Sequence, residues 1–425
     1  MKGGTVKAQI ECLRKTMTRI CKKQRLVFCL FLAGQNSHTF RYLQKNGIII
    51  NGKLLQIYHN IERKRRCIHT RIKEIDYLRA ISAIAVISIH VTAGYVETSV
   101  MAFAWNQVAR FAVPMFILLS GLSLALSDRG SIGKREFFKR RFNKILLPYL
   151  IWSILYFTYA QRYNFGSAEP WVLLTTLGEH MVKGTAYVHL YFLVIMCQLY
   201  LIYPFLRSLL RTKTSWTLTV SFISTLVMHM AIYLHANQLI VLPSIKVPYV
   251  ILFPVWVFYF VLGMFVAMRF NEISAFVGKL TLWQTFVPWL ASLIVLVVDS
   301  KWTDTFDSSA KPSTLLYTVV SGVFMYRLST SMTGWPRKVL HSVCWFSTHS
   351  FFIYLIHPLI ISQLLRFKGL RVGDSGMVML FILTIACSCV LAYISSRFKF
   401  VHLFGGVYIR PKLRKEMDKK VDYPN

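Results

Sequence analysis

Residues 75–90 read IDYLRAISAIAVISIH. The stretch is apolar, with a charged entrance at Asp76 and Arg79 and one imidazole, His90, at its far end. At about 100° per residue, the steps from Arg79 to His90 make about three helical turns. The two side chains therefore share a face, about 16 Å apart along the axis. Ionisable groups are costly in hydrocarbon, so three of them on one apolar segment point to a functional site. On this stretch alone a structural reading weighs as much, with Asp76 and Arg79 at a water interface and His90 closing the other end.

The rest of the chain shows what kind of segment this is. The 425 residues are 55% hydrophobic, with mean hydropathy +0.48. Apolar runs of about 20 residues recur, which is the signature of membrane spans. Candidate spans fall near 75–94, 103–126, 145–163, 187–206, 216–235, 249–269, 281–298, 313–330, 346–366 and 377–397. Segments this long satisfy their backbone groups in lipid only as helices. The expected fold is an all-α integral membrane protein, a bundle of about ten transmembrane helices.

The net charge of +33 comes from 50 basic against 17 acidic residues. The basic residues lie mostly between spans and at the termini. That placement fits the positive-inside rule and anionic headgroups of membrane lipids, and sets nucleic acid aside. The even-numbered loops hold fifteen Lys and Arg against eight in the odd-numbered ones. The even loops and both termini are therefore expected in the cytoplasm. The eight cysteines show no CxxC pair and no metal-ligand spacing, so neither a disulfide framework nor a metal site is expected.

Three regions are expected. Residues 1–70 form a basic extension, with fifteen Lys and Arg and a short apolar run, LVFCLFLA at 26–33, too short to span. The run has signal-peptide character, but cleavage there would oppose the charge bias. The extension is either cytoplasmic or the product of a gene start assigned too far upstream. Residues 71–400 are the membrane domain, and 401–425 a basic cytoplasmic tail. The longest outer connections, about 164–186 and 299–312, are candidate lids. No internal repeat of the inverted-transporter kind stands out.

Four further signals could carry chemistry. Residues 134–144, KREFFKRRFNK, cluster basic charge just before a span. Arg141 and Lys144 share a helical face, and Arg offers a planar fork to phosphate. Topology anchoring alone also demands charge here, and on charge alone it is the favoured reading. His357, in YLIHP at 354–358, is an unusual intramembrane His–Pro pair, more often a packed histidine than a catalyst. His189 opens the fourth span and lines either an acceptor entrance or the aromatic belt. Ser120-Gly121 ends FILLSG, by default a small-residue contact between helices. The other histidines and most aromatics are read as packing.

Five of these stretches, taken in order, resemble the acyltransferase 3 family of integral membrane acyltransferases. Asp76, Arg79 and His90 resemble its D-x-x-R and R-x10-H. Residues 116–121 resemble F-F-L-S-G, and 138–148, FKRRFNKILLP, its basic R-x-x-R loop. Residues 189–193 resemble H-L-W-F/Y-L, and 350–358, SFFIYLIHP, S-Y-x-x-Y-L-x-H-P. The resemblance covers about residues 73–400. It implies an enzyme that takes acyl groups, usually acetyl, from cytoplasmic acyl-CoA and places them on a hydroxyl of an extracytoplasmic or lipid-linked carbohydrate. No tightly bound cofactor is implied; acetyl-CoA is the donor substrate. By the same resemblance His90 is the catalytic histidine, with Arg79 and Asp76 as motif partners. Arg140, Arg141 and Lys144 are donor-binding, and His357, His189, Ser120 and Tyr354 face substrate. Lys144 departs from the motif's second arginine, keeping the charge without the fork. Two other readings stay open: a transporter or flippase of a lipid-linked saccharide, using the same buried His and Arg, and a membrane assembly factor in which they are structural.

Overall fold

The computed structural model describes residues 72–128, 133–163 and 169–409. The expected basic extension, the end of the expected tail from 410, and part of the first candidate lid lie outside the described residues. The fold below belongs to the unit Lys73–Asn425. Its described residues form helices without a strand.

The chain opens with α1 (Lys73–Thr92) and α2 (Val100–Val108), which runs through a 3-10 turn at Ala109–Phe111 into α3 (Ala112–Ser127). Next come α4 (Lys134–Arg141), a π turn (Phe142–Leu146) and α5 (Leu147–Gln161). A short α6 (Pro170–Lys183) precedes α7 (Tyr191–Thr212) and α8 (Thr214–Ala236). Then follow α9 (Val257–Met268), α10 (Phe270–Lys279), α11 (Leu282–Trp302) and α12 (Pro312–Ser331). The last two long helices are α13 (Arg337–Leu364) and α14 (Gly373–Ser395).

Seven of these stretches are long and apolar enough to cross a membrane: α1, the run Val100–Ser127, α7, α8, α11, α13 from Lys338, and α14. The pair α9 and α10, bent by 91°, adds an eighth if counted as one span. Each of the ten expected spans falls on helix, but the count by length and composition is seven or eight. The two that drop out have physical reasons. Helix α5 has 15 residues, about 22 Å, against the ~20 residues that a span needs. Helix α12 is long enough but carries Ser313, Thr314, Thr318, Ser321 and Ser329, which dilute its apolar character.

Helix α1 is the hub. It packs against α2, α3, α12, α13 and α14, and twelve of its 20 residues are buried. A helix apolar on every side is a buried helix. Ala80, Ser82, Ala83, Ala85 and Ser88 keep it slim enough for neighbours on several faces. Its serine and threonine hydroxyls are satisfied within the helix: Ser82 donates to the Leu78 carbonyl at 2.7 Å and Thr92 to that of Ser88 at 2.7 Å.

The tightest pairing is α3 with α9. A Cβ on Gly121 would stand 2.2 Å from the Phe260 carbonyl oxygen, and one on Gly263 would stand 2.0 Å from that of Leu118. Each glycine thus lets one backbone lie on the other, as the small-residue reading of Ser120-Gly121 expected.

Candidate active site

Three histidines meet at one end of the bundle. His90 comes from α1, His189 from the turn before α7, and His357 from the middle of α13. Ring centroids are 5.2 Å apart for His90 and His357, 5.6 Å for His189 and His357, and 6.4 Å for His90 and His189. His189 and His357 are fully buried and His90 is half-buried. Among the described residues no group of three or more His, Cys, Asp or Glu is arranged to hold a metal ion.

The His–Pro pair has a specific consequence. Pro358 has no N–H, so the carbonyl of Tyr354, four residues earlier, has no helical donor there. His357 Nδ1 fills the gap and donates to that carbonyl at 2.7 Å. A carbonyl only accepts, so Nδ1 carries a proton and donates. Nε2 is buried and has no hydrogen-bond partner among the described residues. The sequence thus fixes the ring orientation of His357 and leaves its Nε2 turned into the cluster.

His189 is held by its main chain, whose carbonyl accepts from the Tyr354 hydroxyl. The Tyr354 and Tyr156 rings stand 5.3 Å and 5.2 Å from its ring. Tyr156 is itself fixed by donating to the Leu355 carbonyl at 2.7 Å. Among the described residues neither His189 ring nitrogen makes a hydrogen bond of good geometry, and the Leu355 carbonyl is the nearest acceptor to the ring. Buried polar atoms are nearly always bonded, so a poorly paired imidazole here is open to a further polar partner.

A buried polar network supports the His90 end, and sequence reasoning passed over it. Asn106 donates from Nδ2 to Thr92 Oγ1 at 2.8 Å and to the Ile89 carbonyl at 3.3 Å, on either side of His90. Its Oδ1 accepts from Arg110. Arg110 is 4% exposed, donates from Nη1 to the Asp307 carbonyl at 2.6 Å, and has no ion pair among the described residues. Gln107 donates to the Phe306 carbonyl at 3.1 Å and accepts from Ser300 at 2.7 Å. Ser300 accepts from the buried Lys311 at 2.6 Å, and Lys311 pairs with Asp299 at 3.4 Å. The candidate lid at 299–312 is thereby tied down onto the bundle. The available signal was three polar residues, Asn106, Gln107 and Arg110, inside an expected apolar span.

The other end of the site is basic. A cavity of about 350 Å³ is lined by Arg79, Arg141, Lys144, Ser120, Phe116 and Tyr354, among others. Arg79 is set by Asp76, 3.6 Å away, and donates to Ser123 at 2.7 Å. Arg141 lies over the rings of Phe137 and Tyr200, each centroid at 5.5 Å, and has no carboxylate partner among the described residues. The π turn carries Lys144 onto the same wall. Its side chain is exposed overall, but desolvation at that wall, then the charges of Arg141 and Arg140, lower its amine below the ordinary lysine value. Tyr354 belongs to both the cavity lining and the histidine surroundings, so it joins the two ends.

Two of the expected site residues lie elsewhere. Asp76 is buried, accepts from Ser347 at 2.8 Å and Cys344 at 3.6 Å, and ties α1 to α13 at the end opposite His90. Arg140 is exposed and occupied by Glu136 at 2.7 Å, which holds that carboxyl below its usual range. It does not line the cavity.

A family model described as an acyltransferase domain, acyltransferase 3, matches residues 72–397. The chain belongs to the acyltransferase 3 family. Among its relatives is a Bacillus subtilis (strain 168) protein assigned as the membrane-bound acyltransferase YfiQ, 23% identical over 380 residues, covering 81% of this chain and 97% of that protein. Another is a Staphylococcus aureus (strain MSSA476) protein assigned to export of poly-beta-1,6-N-acetyl-D-glucosamine, 24% identical over 337 residues, covering 72% and 87%. No solved structure matches the chain. This acyltransferase 3 chain is a membrane protein with several apolar helices, and its motif-like stretches converge on two places: Arg79, Ser120 and Arg141 on the cavity, His90, His189 and His357 in the cluster.

Proposed function

We propose that the chain is a membrane-bound O-acyltransferase that moves an acyl group, acetyl by family resemblance, from cytoplasmic acyl-CoA to a hydroxyl of an extracytoplasmic cell-surface or lipid-linked glycan. The observation that carries this reading is the adjacency of the basic-walled cavity and the histidine cluster, which share Tyr354 as a wall. The basic end, with the termini, is cytoplasmic by the positive-inside rule. Phosphates of the donor meet Arg79, Arg141 and Lys144 at the mouth, and its acyl-pantetheine arm enters the cavity. The acceptor hydroxyl comes from the other side, where half-buried His90 is the reachable imidazole. His90 takes the hydroxyl proton as the oxygen attacks the thioester carbon. The C–O bond forms, the C–S bond breaks, and the proton passes from His90 to the departing sulfur. Base catalysis of this kind supplies about 10²–10⁴-fold in rate. The poorly paired ring of His189 and Nε2 of His357 hold polar atoms of the reacting groups.

A second reading has one observation in its favour, the export assignment of the Staphylococcus aureus relative. In it the same cavity passes a saccharide and no thioester is consumed. Thiol release from acetyl-CoA by membrane vesicles separates the two. Wild type should release thiol, and Arg141→Ala should raise the KM for acetyl-CoA about 10- to 100-fold, the worth of a charge-assisted hydrogen bond, with a smaller effect on glycan. An unchanged KM would make the loop a topology anchor. Absence of thiol release would favour export.

A further inference from the structure

Arg110 is a cation for which acid–base chemistry at His90 has no use. It sits in the 3-10 turn that opens α3, is 4% exposed, and has no ion pair among the described residues. A buried charge without a counterion is costly, the more so within a membrane, and is kept where an anion comes to meet it. Two neutral oxygens hold the guanidinium: Nη2 donates to Asn106 Oδ1, and Nη1 to the Asp307 carbonyl at 2.6 Å. Its third nitrogen, Nε, is buried and has no hydrogen-bond partner among the described residues.

The asparagine that holds Arg110 also fixes the chain around His90. Asn106 Nδ2 donates to the Ile89 carbonyl at 3.3 Å and to Thr92 Oγ1 at 2.8 Å, one residue before His90 and two after it. One amide thus binds the histidine's own stretch of α1 with its nitrogen and the guanidinium with its oxygen. The charge of Arg110 reaches two groups of the site, the His90 imidazole and the Tyr191 hydroxyl.

A fixed cation beside a general base is a handicap unless negative charge arises with the proton transfer. Once His90 holds the acceptor's proton it is a second cation near Arg110. Acyl transfer supplies the missing charge at that moment. As the acceptor oxygen bonds to the thioester carbon, the carbonyl π pair moves onto the carbonyl oxygen, which becomes an oxyanion. The pair returns as the C–S bond breaks, and the departing sulfur takes the proton from His90.

We propose that Arg110 is the oxyanion donor of the transfer, its Nε–H bonding the thioester's carbonyl oxygen as that oxygen becomes negative. This rests on the acyl-CoA reading above and adds the group that stabilises the tetrahedral intermediate. Such a bond is weak to the neutral thioester and strong to the oxyanion, so it raises kcat rather than tightening binding.

The test exchanges one atom of the donor. Acetyldithio-CoA carries sulfur in place of the carbonyl oxygen, and sulfur is a weak hydrogen-bond acceptor. Cell-envelope vesicles of the native host carry the glycan acceptor, release of CoA thiol is the readout, and His90→Ala vesicles set the background. Vesicle protein in excess over donor keeps the slower donor measurable. Arg110→Gln should lower kcat for acetyl-CoA about 10²–10³-fold, the cost of losing one oxyanion donor, with KM little changed. The fall on the dithio donor should be at least about tenfold smaller, so the preference for oxygen over sulfur drops. Arg110→Lys keeps the charge without the Nε–H and should lower that preference by less. The preference is a ratio, insensitive to the amount of folded protein, and Arg110→Lys decides alone should Arg110→Gln fail to accumulate. Equal losses on both donors would make Arg110 a strut for the loop at Asp307. A raised KM for glycan at wild-type kcat would make it a site for an acidic group of the acceptor. Either result overturns the oxyanion role and leaves the acyl-CoA reading standing. No His90-dependent release from acetyl-CoA would remove both.

Discussion

At the scale of single residues, Pro358 decides what His357 is. Its missing N–H frees the Tyr354 carbonyl, and that carbonyl fixes the proton of His357 on Nδ1. Pro358→Ala restores a competing donor, so His357 should lose its fixed orientation. We expect kcat to fall about 10- to 100-fold, as small misplacements at reacting groups do, while the protein melts no lower, since a helix-interior proline is itself destabilising. Kinetics and melting in detergent check both halves; an unchanged kcat would mean the orientation is irrelevant. The pair His357 and Pro358 was visible in the sequence, as were His90 and His189. Their meeting was not, because the three come from segments about a hundred or more residues apart and only packing around α1 joins them. Arg110 was missed for a different reason. One partner, Asn106, stands four residues before it, but the other is a main-chain carbonyl of a distant loop, at Asp307, and no local spacing announces that one.

At the scale of elements, the site depends on how closely α3 and α9 approach. Gly263 puts the Leu118 carbonyl where a Cβ would stand. Gly263→Ala must push α3 away, and α3 carries Phe116 and Ser120 into the cavity. Overpacking of this kind costs about 1–3 kcal/mol. A lower melting temperature together with weaker acetyl-CoA use is the expected result, and an unshifted melting curve would show that the helices part without cost. The glycine of FILLSG was legible as a small-residue contact, but its partner was not, since nothing in the sequence says which helix lies opposite. The same limit applies to α5 and α12. Both read as spans from their apolar runs, yet one is too short and the other too rich in hydroxyls to pass by length and composition alone. Their burial against neighbours is a property of the bundle.

At the scale of the whole molecule, the account is directional. The basic cavity lies toward one end and the histidines toward the other, and a loop from 303 to 311 is bonded down to Gln107 and Arg110. Composition and loop charge gave the membrane class and the expected orientation because they depend only on sequence sums. The measurement that tests the central claim uses sealed inside-out vesicles, with acetyl-labelled acetyl-CoA supplied only to the exposed cytoplasmic face. Label should appear in glycan on the lumenal side with wild-type protein, and should vanish with His90→Ala while the variant still accumulates in the membrane. Lumenal label that survives His90→Ala, or wild-type vesicles that consume no acetyl-CoA, would contradict transfer across the membrane by this histidine.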